Sequence, residues 1–266
     1  MIKYVYRSKT KMNNLLDNWD DRYDTDKTYM GYQSFYERYF KPIKDKNIKL
    51  LEIGVQKGGS LRLWRDYFPK SKIYGIDVVG KFRKESGDRI QVCAPVDAGS
   101  REDLSKLIDD IGGDFDVIID DGSHCMYDNQ VSLGFLFKHL KPAGIFVIED
   151  LSCQDFTYNF NTAMKMNRRR TKDEFQEIHG RKSKEGEPTY SNSSFKDYGY
   201  IFDIKNNTTD MIKNFNEVGL INSKYMLTDE ITYLNKNIEE VKLYDTESIM
   251  PDSKRPQQIA FFVKTR

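Results

Sequence analysis

Five short apolar runs, separated by stretches of helical periodicity, constrain this chain more than any other feature. They are Leu50-Leu51-Glu52-Ile53, Ile73-Tyr74-Gly75-Ile76, Ile90-Gln91-Val92, Phe115-Asp116-Val117-Ile118-Ile119 and Gly144-Ile145-Phe146-Val147-Ile148. They are rich in β-branched residues, as strands buried on both faces of a parallel sheet must be. Between them the spacing predicts helices near 60–68, 101–111 and 127–140. Strands alternating with helices mean a doubly wound α/β domain with a mostly parallel sheet. A helix near 208–219 and strands near Val241–Tyr244 and Ile259–Val263 follow. The short gap between those strands, with Pro251 and Pro256, predicts an antiparallel C-terminal hairpin.

The flanks differ in texture. Residues 1–47 are polar and tyrosine-rich, and Tyr29, Tyr32, Phe35, Tyr36 and Tyr39 recur at helical spacing. They are expected to form an N-terminal helical appendage to a main domain over 48–266. Residues 158–200 are polar, with basic clusters at Arg168, Arg169 and Arg170 and at Arg181, Lys182 and Lys184. So long a stretch between core elements reads as a substrate lid or insert, or else as a solvated helix with a loop.

Composition excludes several classes. Lys+Arg is 42 and Asp+Glu is 41, so no global field recruits nucleic acid or an anionic membrane. Three cysteines without a CxxC pair argue against a disulfide framework or a cysteine-built zinc site, and for a reducing compartment. The N-terminus lacks the apolar core of a signal peptide, and no apolar run approaches the roughly 18 residues of a membrane helix. A cytoplasmic, soluble protein is expected, and a homo-oligomer is compatible with everything above.

Three constellations carry chemistry. The first is Leu51-Glu52-Ile53-Gly54-Val55-Gln56-Lys57-Gly58-Gly59-Ser60, a strand that enters a glycine-rich turn and then a helix. Such a turn lets backbone amides approach a polar or anionic ligand closely. Its spacing is not the GxGxxG of dinucleotide folds, which disfavours a nicotinamide oxidoreductase. It resembles instead the E-x-G-x-x-x-G motif of class I S-adenosylmethionine (SAM) methyltransferases, in which the loop holds the amino acid end of the cofactor. Ser60 belongs to the same turn.

The second is Gly75-Ile76-Asp77, whose carboxylate closes the second strand where an acidic residue can accept both ribose hydroxyls. Asp97 resembles the position that meets the adenine amino group, or else caps the helix beginning near Ser100. The third is Ile118-Ile119-Asp120-Asp121-Gly122-Ser123-His124 with Val147-Ile148-Glu149-Asp150. Ligands in open α/β sheets bind beyond the carboxyl ends of the strands. Asp121, Glu149 and Asp150 can therefore converge on one point, where like charges require a cation. Oxygen ligands suit Mg²⁺. His124 would stand beside that ion, and a neutral imidazole is a natural general base. His139 and His179 read as structural.

IDDGSH followed by VIEDL, with Glu149 placed 28 positions after Asp121, resembles the metal-dependent sugar O-methyltransferases of the macrocin and mycinamicin type. The resemblance covers roughly residues 23–151 and, more faintly, the final strand. It implies a Rossmann-like class I methyltransferase fold with Asp121, Glu149 and Asp150 as Mg²⁺ (or other divalent cation) ligands and His124 as the base. Glu52, Gly54, Gly58 and Asp77 match the SAM site, to which Asp97 and Asp120 are added. Thr25-Asp26-Lys27 matches an N-terminal motif near the active site, accompanied by Tyr32 or Tyr36. The chain departs from the pattern at Asp24 and Ala143, where glycines are usual, and at Asp128, where many members have a histidine.

The function expected is methyl transfer from SAM to a sugar hydroxyl of a glycan or glycoside. The abundance of Lys, Asn, Ile and Tyr points to an AT-rich genome, hence to a surface glycan or nucleotide-sugar rather than a polyketide. A catechol-type O-methyltransferase would share cofactor and metal, with an apolar wall over the ion. A silent SAM- or glycan-binding module would keep the fold without turnover.

Overall fold

The computed structural model describes residues 19–154, 207–246 and 256–266. Seven strands form one sheet in the order β3-β2-β1-β4-β5-β7-β6. The first five are β1 (Lys49–Ile53), β2 (Lys72–Ile76), β3 (Ile90–Cys93), β4 (Phe115–Asp120) and β5 (Leu140–Ile148). All five run parallel. β7 (Gln258–Lys264) lies antiparallel to β5 and pairs with β6 (Ile238–Asp245). The doubly wound sheet and its C-terminal antiparallel hairpin are as the sequence pattern predicts. The order reverses between β1 and β4, and both strands run toward the same end, so their carboxyl ends open a crevice there.

Strand residues alternate between two cores. Leu50, Val117, Ile119, Ile145, Val147 and Phe261 face one side, where α1 (Trp19–Tyr23), α2 (Gln33–Phe40) and α3 (Gly59–Tyr67) pack. Leu51, Ile118, Phe146, Ala260 and Phe262 face the other. There they meet α4 (Arg101–Ile111), α5 (Met126–Leu136), α6 (Thr208–Val218) and α7 (Thr228–Asn237). With one hydrophobic layer on each face, both sides of the sheet are sealed, and only its ends remain for chemistry.

The predicted helices near 60–68, 101–111 and 208–219 lie within a residue of α3, α4 and α6. The third expected helix, 127–140, ends earlier, because β5 already starts at Leu140. α7 was not read from the sequence. Its N-terminus carries Glu230, which accepts from Leu227 N at 2.8 Å and from Arg101 Nη2 and Nε at 2.7 and 2.8 Å. Gly134 of α5 leaves the room for this, since a Cβ there would lie 2.8 Å from Glu230 Oε2.

The described part of the N-terminal segment is built into the first core. Trp19, Tyr32, Tyr36 and Phe40 are buried against Trp64 and Phe261. The helix there is shorter than the tyrosine spacing suggests: Tyr29 stands in the preceding turn and is 40% exposed. The expected lid over 158–200 and His179 lie outside the described residues.

Candidate active site

The glycine-rich turn leaves β1 at Gly54, whose φ is +95°. Asp77, at the end of β2, braces the turn: its Oδ2 accepts from Val55 N at 3.0 Å and Gln56 N at 3.2 Å, and its Oδ1 accepts from Val79 N at 2.8 Å. The same carboxylate thus orders the loop and lines a small cavity of about 130 Å³ with Asp97, Asp120 and Ser123. Asp97 is buried, and Ser100, not Asp97, caps α4, accepting from Asp103 N at 3.3 Å. Gly58 caps α3 in a left-handed conformation. Gly59 serves a different end: a Cβ there would fall 2.3 Å from the Asp24 carbonyl oxygen, so its absence lets the N-terminal segment lie on α3.

Two residues assigned to the cofactor turn their side chains inward. Glu52 is fully buried and accepts from Ser60 Oγ at 2.8 Å and Trp64 Nε1 at 3.2 Å. Burial pushes its carboxyl up to about 7, against the pull of Lys27. Asp120 accepts from the Ser132 hydroxyl on α5 and from Gly122 N at 3.3 Å. Burial raises it, with Ser132 opposing. Each carboxylate therefore ties its own strand end to a helix.

Beyond β4 and β5 lies the acidic centre. One ligand atom each from Asp121, His124 and Asp150 come within 4.8 Å of one another. His124 Nε2 is 3.6 Å from Asp150 Oδ2. Both His124 and Asp150 have left-handed backbones, with φ of +56° and +55°, a conformation that non-glycine residues hold only when their surroundings over-determine it. Glu149 points elsewhere. Its two oxygens accept from Lys27 Nζ at 2.7 and 2.9 Å, and the Tyr36 hydroxyl also donates to it. Lys27 Nζ reaches Asp121 Oδ2 at 2.8 Å as well. Tyr32 donates to Asp150 and accepts from Asp150 N at 3.1 Å. Both tyrosines associated with the N-terminal motif thus grip an acid of the centre.

The charges do not balance. One ammonium, Lys27, faces Glu52, Asp121 and Glu149. Burial would strip Lys27 of its proton, but Asp121, Glu149 and Glu52 together hold it well above the usual lysine value. Burial and the neighbouring Asp121 push Glu149 well upward, and burial raises Asp150 although His124 opposes. Further positive charge would relieve this. Asp121 and Asp150 offer hard oxygen donors with His124 beside them. These oxygens fit a divalent cation such as Mg²⁺. The arrangement differs from the expected trio in that His124 converges with Asp121 and Asp150, while Glu149 faces Lys27.

A cavity of about 420 Å³ opens onto this centre, walled by Asp24, Asp26, Tyr29, Ser60, Asp121 and His124 among others. It shares Gly54, Gln56 and Asp121 with the smaller cavity, so the two form one trough along the strand ends. Gln154 had no role in the sequence reading. Its Nε2 donates to Asn129 Oδ1 at 2.7 Å and to the His124 carbonyl at 3.4 Å, and its Oε1 accepts from Thr208 N at 2.9 Å. The chain therefore leaves and re-enters the described fold beside His124.

No family model matches the chain. It is 37% identical over 128 residues to 8-demethyl-8-alpha-L-rhamnosyl tetracenomycin-C 2'-O-methyltransferase of Streptomyces olivaceus, covering 45% of this chain and 33% of that one. It is 36% identical over 126 residues to mycinamicin VI 2''-O-methyltransferase of Micromonospora griseorubida, covering 44% and 30%. Among solved structures, MycE methyltransferase from the mycinamycin pathway, in complex with Mg and SAH, matches with a TM-score of 0.63 at 23% identity, over 95% of this chain and 55% of that one. That likeness shows the fold. The chain spans about a third of the length of these curated relatives, and the part that matches them is similar to sugar O-methyltransferases, as IDDGSH and VIEDL suggest.

Proposed function

We propose that the chain is a SAM-dependent O-methyltransferase acting on a sugar hydroxyl. The observation that carries the reading is the convergence of Asp121, His124 and Asp150 at the junction of a trough whose other end is the Gly54 turn and Asp77. An acid-and-imidazole centre suits a hydroxyl acceptor. A neighbouring cavity under the ends of β1 and β2 suits a nucleoside-bearing donor. The relatives at 36–37% identity are sugar O-methyltransferases, which favours a sugar over a catechol. The cavity wall agrees, since it presents Asp24, Thr25, Asp26 and Ser60 to the acceptor rather than an apolar face.

Roles follow from position. The turn at Gly54–Gly58 and the Asp77 carboxylate would hold the cofactor, with Asp97 further along the same cavity. Asp121 and Asp150 would hold the cation, with Tyr32 fixing Asp150 from behind. When bound, SAM supplies the methyl group and the dication supplies Lewis acidity toward the acceptor hydroxyls. His124 would take the hydroxyl proton, since it lines the cavity with its Nε2 3.6 Å from Asp150 Oδ2. Fixing both reactants in one trough can supply about 7–11 kcal/mol of the barrier. No helix among the described residues is long and apolar enough to cross a membrane.

The test is methyl transfer from labelled SAM to a panel of simple glycosides, with and without EDTA, alongside calorimetric SAM binding. SAM should bind in chelator while transfer stops, and Mg²⁺ should restore it. Full transfer in EDTA would remove the metal from the reading. Absence of SAM binding would remove the methyltransferase.

A further inference from the structure

We propose that Lys27 is a built-in counter-cation that keeps the divalent-ion site at Asp121 and Asp150, beside His124, weak and exchangeable. The inference rests on the metal reading above. Lys27 is fully buried, yet its ammonium sits among the ends of three strands. It is 2.7 Å from Glu149 after β5, 2.8 Å from Asp121 after β4 and 3.7 Å from Glu52 on β1. Among the described residues, no other lysine or arginine comes within 4.0 Å of these three acids. A rigid turn delivers it. Asp20 accepts from Thr28 N and Tyr29 N, each at 2.8 Å, and the carbonyls of Asp26 and Lys27 accept from Met30 N at 2.9 Å and Tyr32 N at 3.0 Å.

The consequence is electrostatic. A buried acid cluster without a cation is costly, so a protein lacking Lys27 would lose stability that bound metal restores. With Lys27 in place the cluster persists without the ion. The same ammonium shares Asp121 with the site and must repel a dication bound there. Repulsion between a single and a double charge a few ångströms apart is strong enough for removal of the lysine to tighten metal binding. Lys27 therefore exchanges metal affinity for a fold independent of metal.

The test measures Mg²⁺ and Mn²⁺ affinity by calorimetry, and melting temperature with and without chelator, on the full chain. K27M should bind metal at least tenfold more tightly, melt about 10 °C lower in EDTA and recover in Mg²⁺. K27M/E149Q, in which one cation and one anion are removed together, should melt in EDTA above K27M. Where K27M fails to fold, K27M/E149Q is compared with E149Q, and loss of the lysine should again tighten binding at least tenfold. Unchanged affinity would make Lys27 a purely structural residue and overturn the proposal. Weakened affinity would make it a ligand-aligning residue and overturn it equally. If the unaltered protein binds no dication, the metal reading itself fails, a result distinct from either.

Discussion

A Cβ on Gly54 would lie 2.1 Å from the carbonyl oxygen of Asp121. No real side chain tolerates that distance, so the glycine-rich turn after β1 and the acidic turn after β4 are in backbone contact. Asp121 N in turn donates to Ile53 O at 3.0 Å, closing the contact from the other strand. The two halves of the proposed reaction centre are thus positioned by one glycine.

Gly54→Ala should therefore damage both halves together. Alanine must carry a φ of +95°, and one of the two turns must move. SAM affinity should fall at least tenfold, and Mg²⁺ affinity should fall with it because Asp121 is displaced. A variant that loses cofactor binding but keeps its metal affinity would show that the turns are mechanically independent.

His124→Ala should lower kcat by about 10²–10⁴, the usual contribution of a positioned base. Its SAM affinity should match the parent, because the proposed cofactor contacts lie on the turns after β1 and β2. A folded variant with near-normal kcat would refute the base and shift attention to the carboxylates around it.

The sheet, its crossovers and the strand-end acids were legible because they follow from local pattern. Apolar runs and glycine turns at strand ends are written in consecutive residues. The direction of each acid was not. Asp120 and Asp121 are adjacent, yet one enters α5 and the other faces the cavity, a division set by strand alternation and by Ser132, twelve residues away. Glu149 was expected to face a cation, but its contact with a lysine 122 residues earlier could not be read from local pattern. The Thr25-Asp26-Lys27 motif was visible, but the burial of Lys27 depends on Asp20 and Gly59, neither of which announces it. The departures from family glycines gain a meaning in the structure: Asp24 and Ala143 both have φ of +59°.

His139 supplies a pH dependence remote from the site. Burial, with Lys138 and Lys264 adding, pushes its pKa down to about 4 from 6.5. The folded state therefore prefers neutral imidazole, while the unfolded chain takes up a proton first as pH falls. The contribution of His139 to stability is fully present above pH 6.5 and is lost progressively down to about 4. Melting curves should show the parent losing more stability between pH 7 and 4 than His139→Gln does. Parallel losses in the two proteins would mean that His139 is not the titrating group.

Ala143 offers the opposite kind of test, a substitution that should stabilise. Its side chain is exposed, and it sits at φ +59° in the irregular part of β5, where its N–H donates to Thr265 O at 3.1 Å. A left-handed backbone costs an L-residue about 1–2 kcal/mol. Glycine avoids that cost but gives back about 0.5–1 kcal/mol through the greater freedom of the unfolded chain. Ala143→Gly should therefore gain about 0.5–1 kcal/mol and raise the melting temperature by about 1–4 °C. The site lies at the opposite end of β5 from Asp150, so SAM and metal affinity should not move. A lower melting temperature would mean that Ala143 makes packing contacts worth more than its backbone strain.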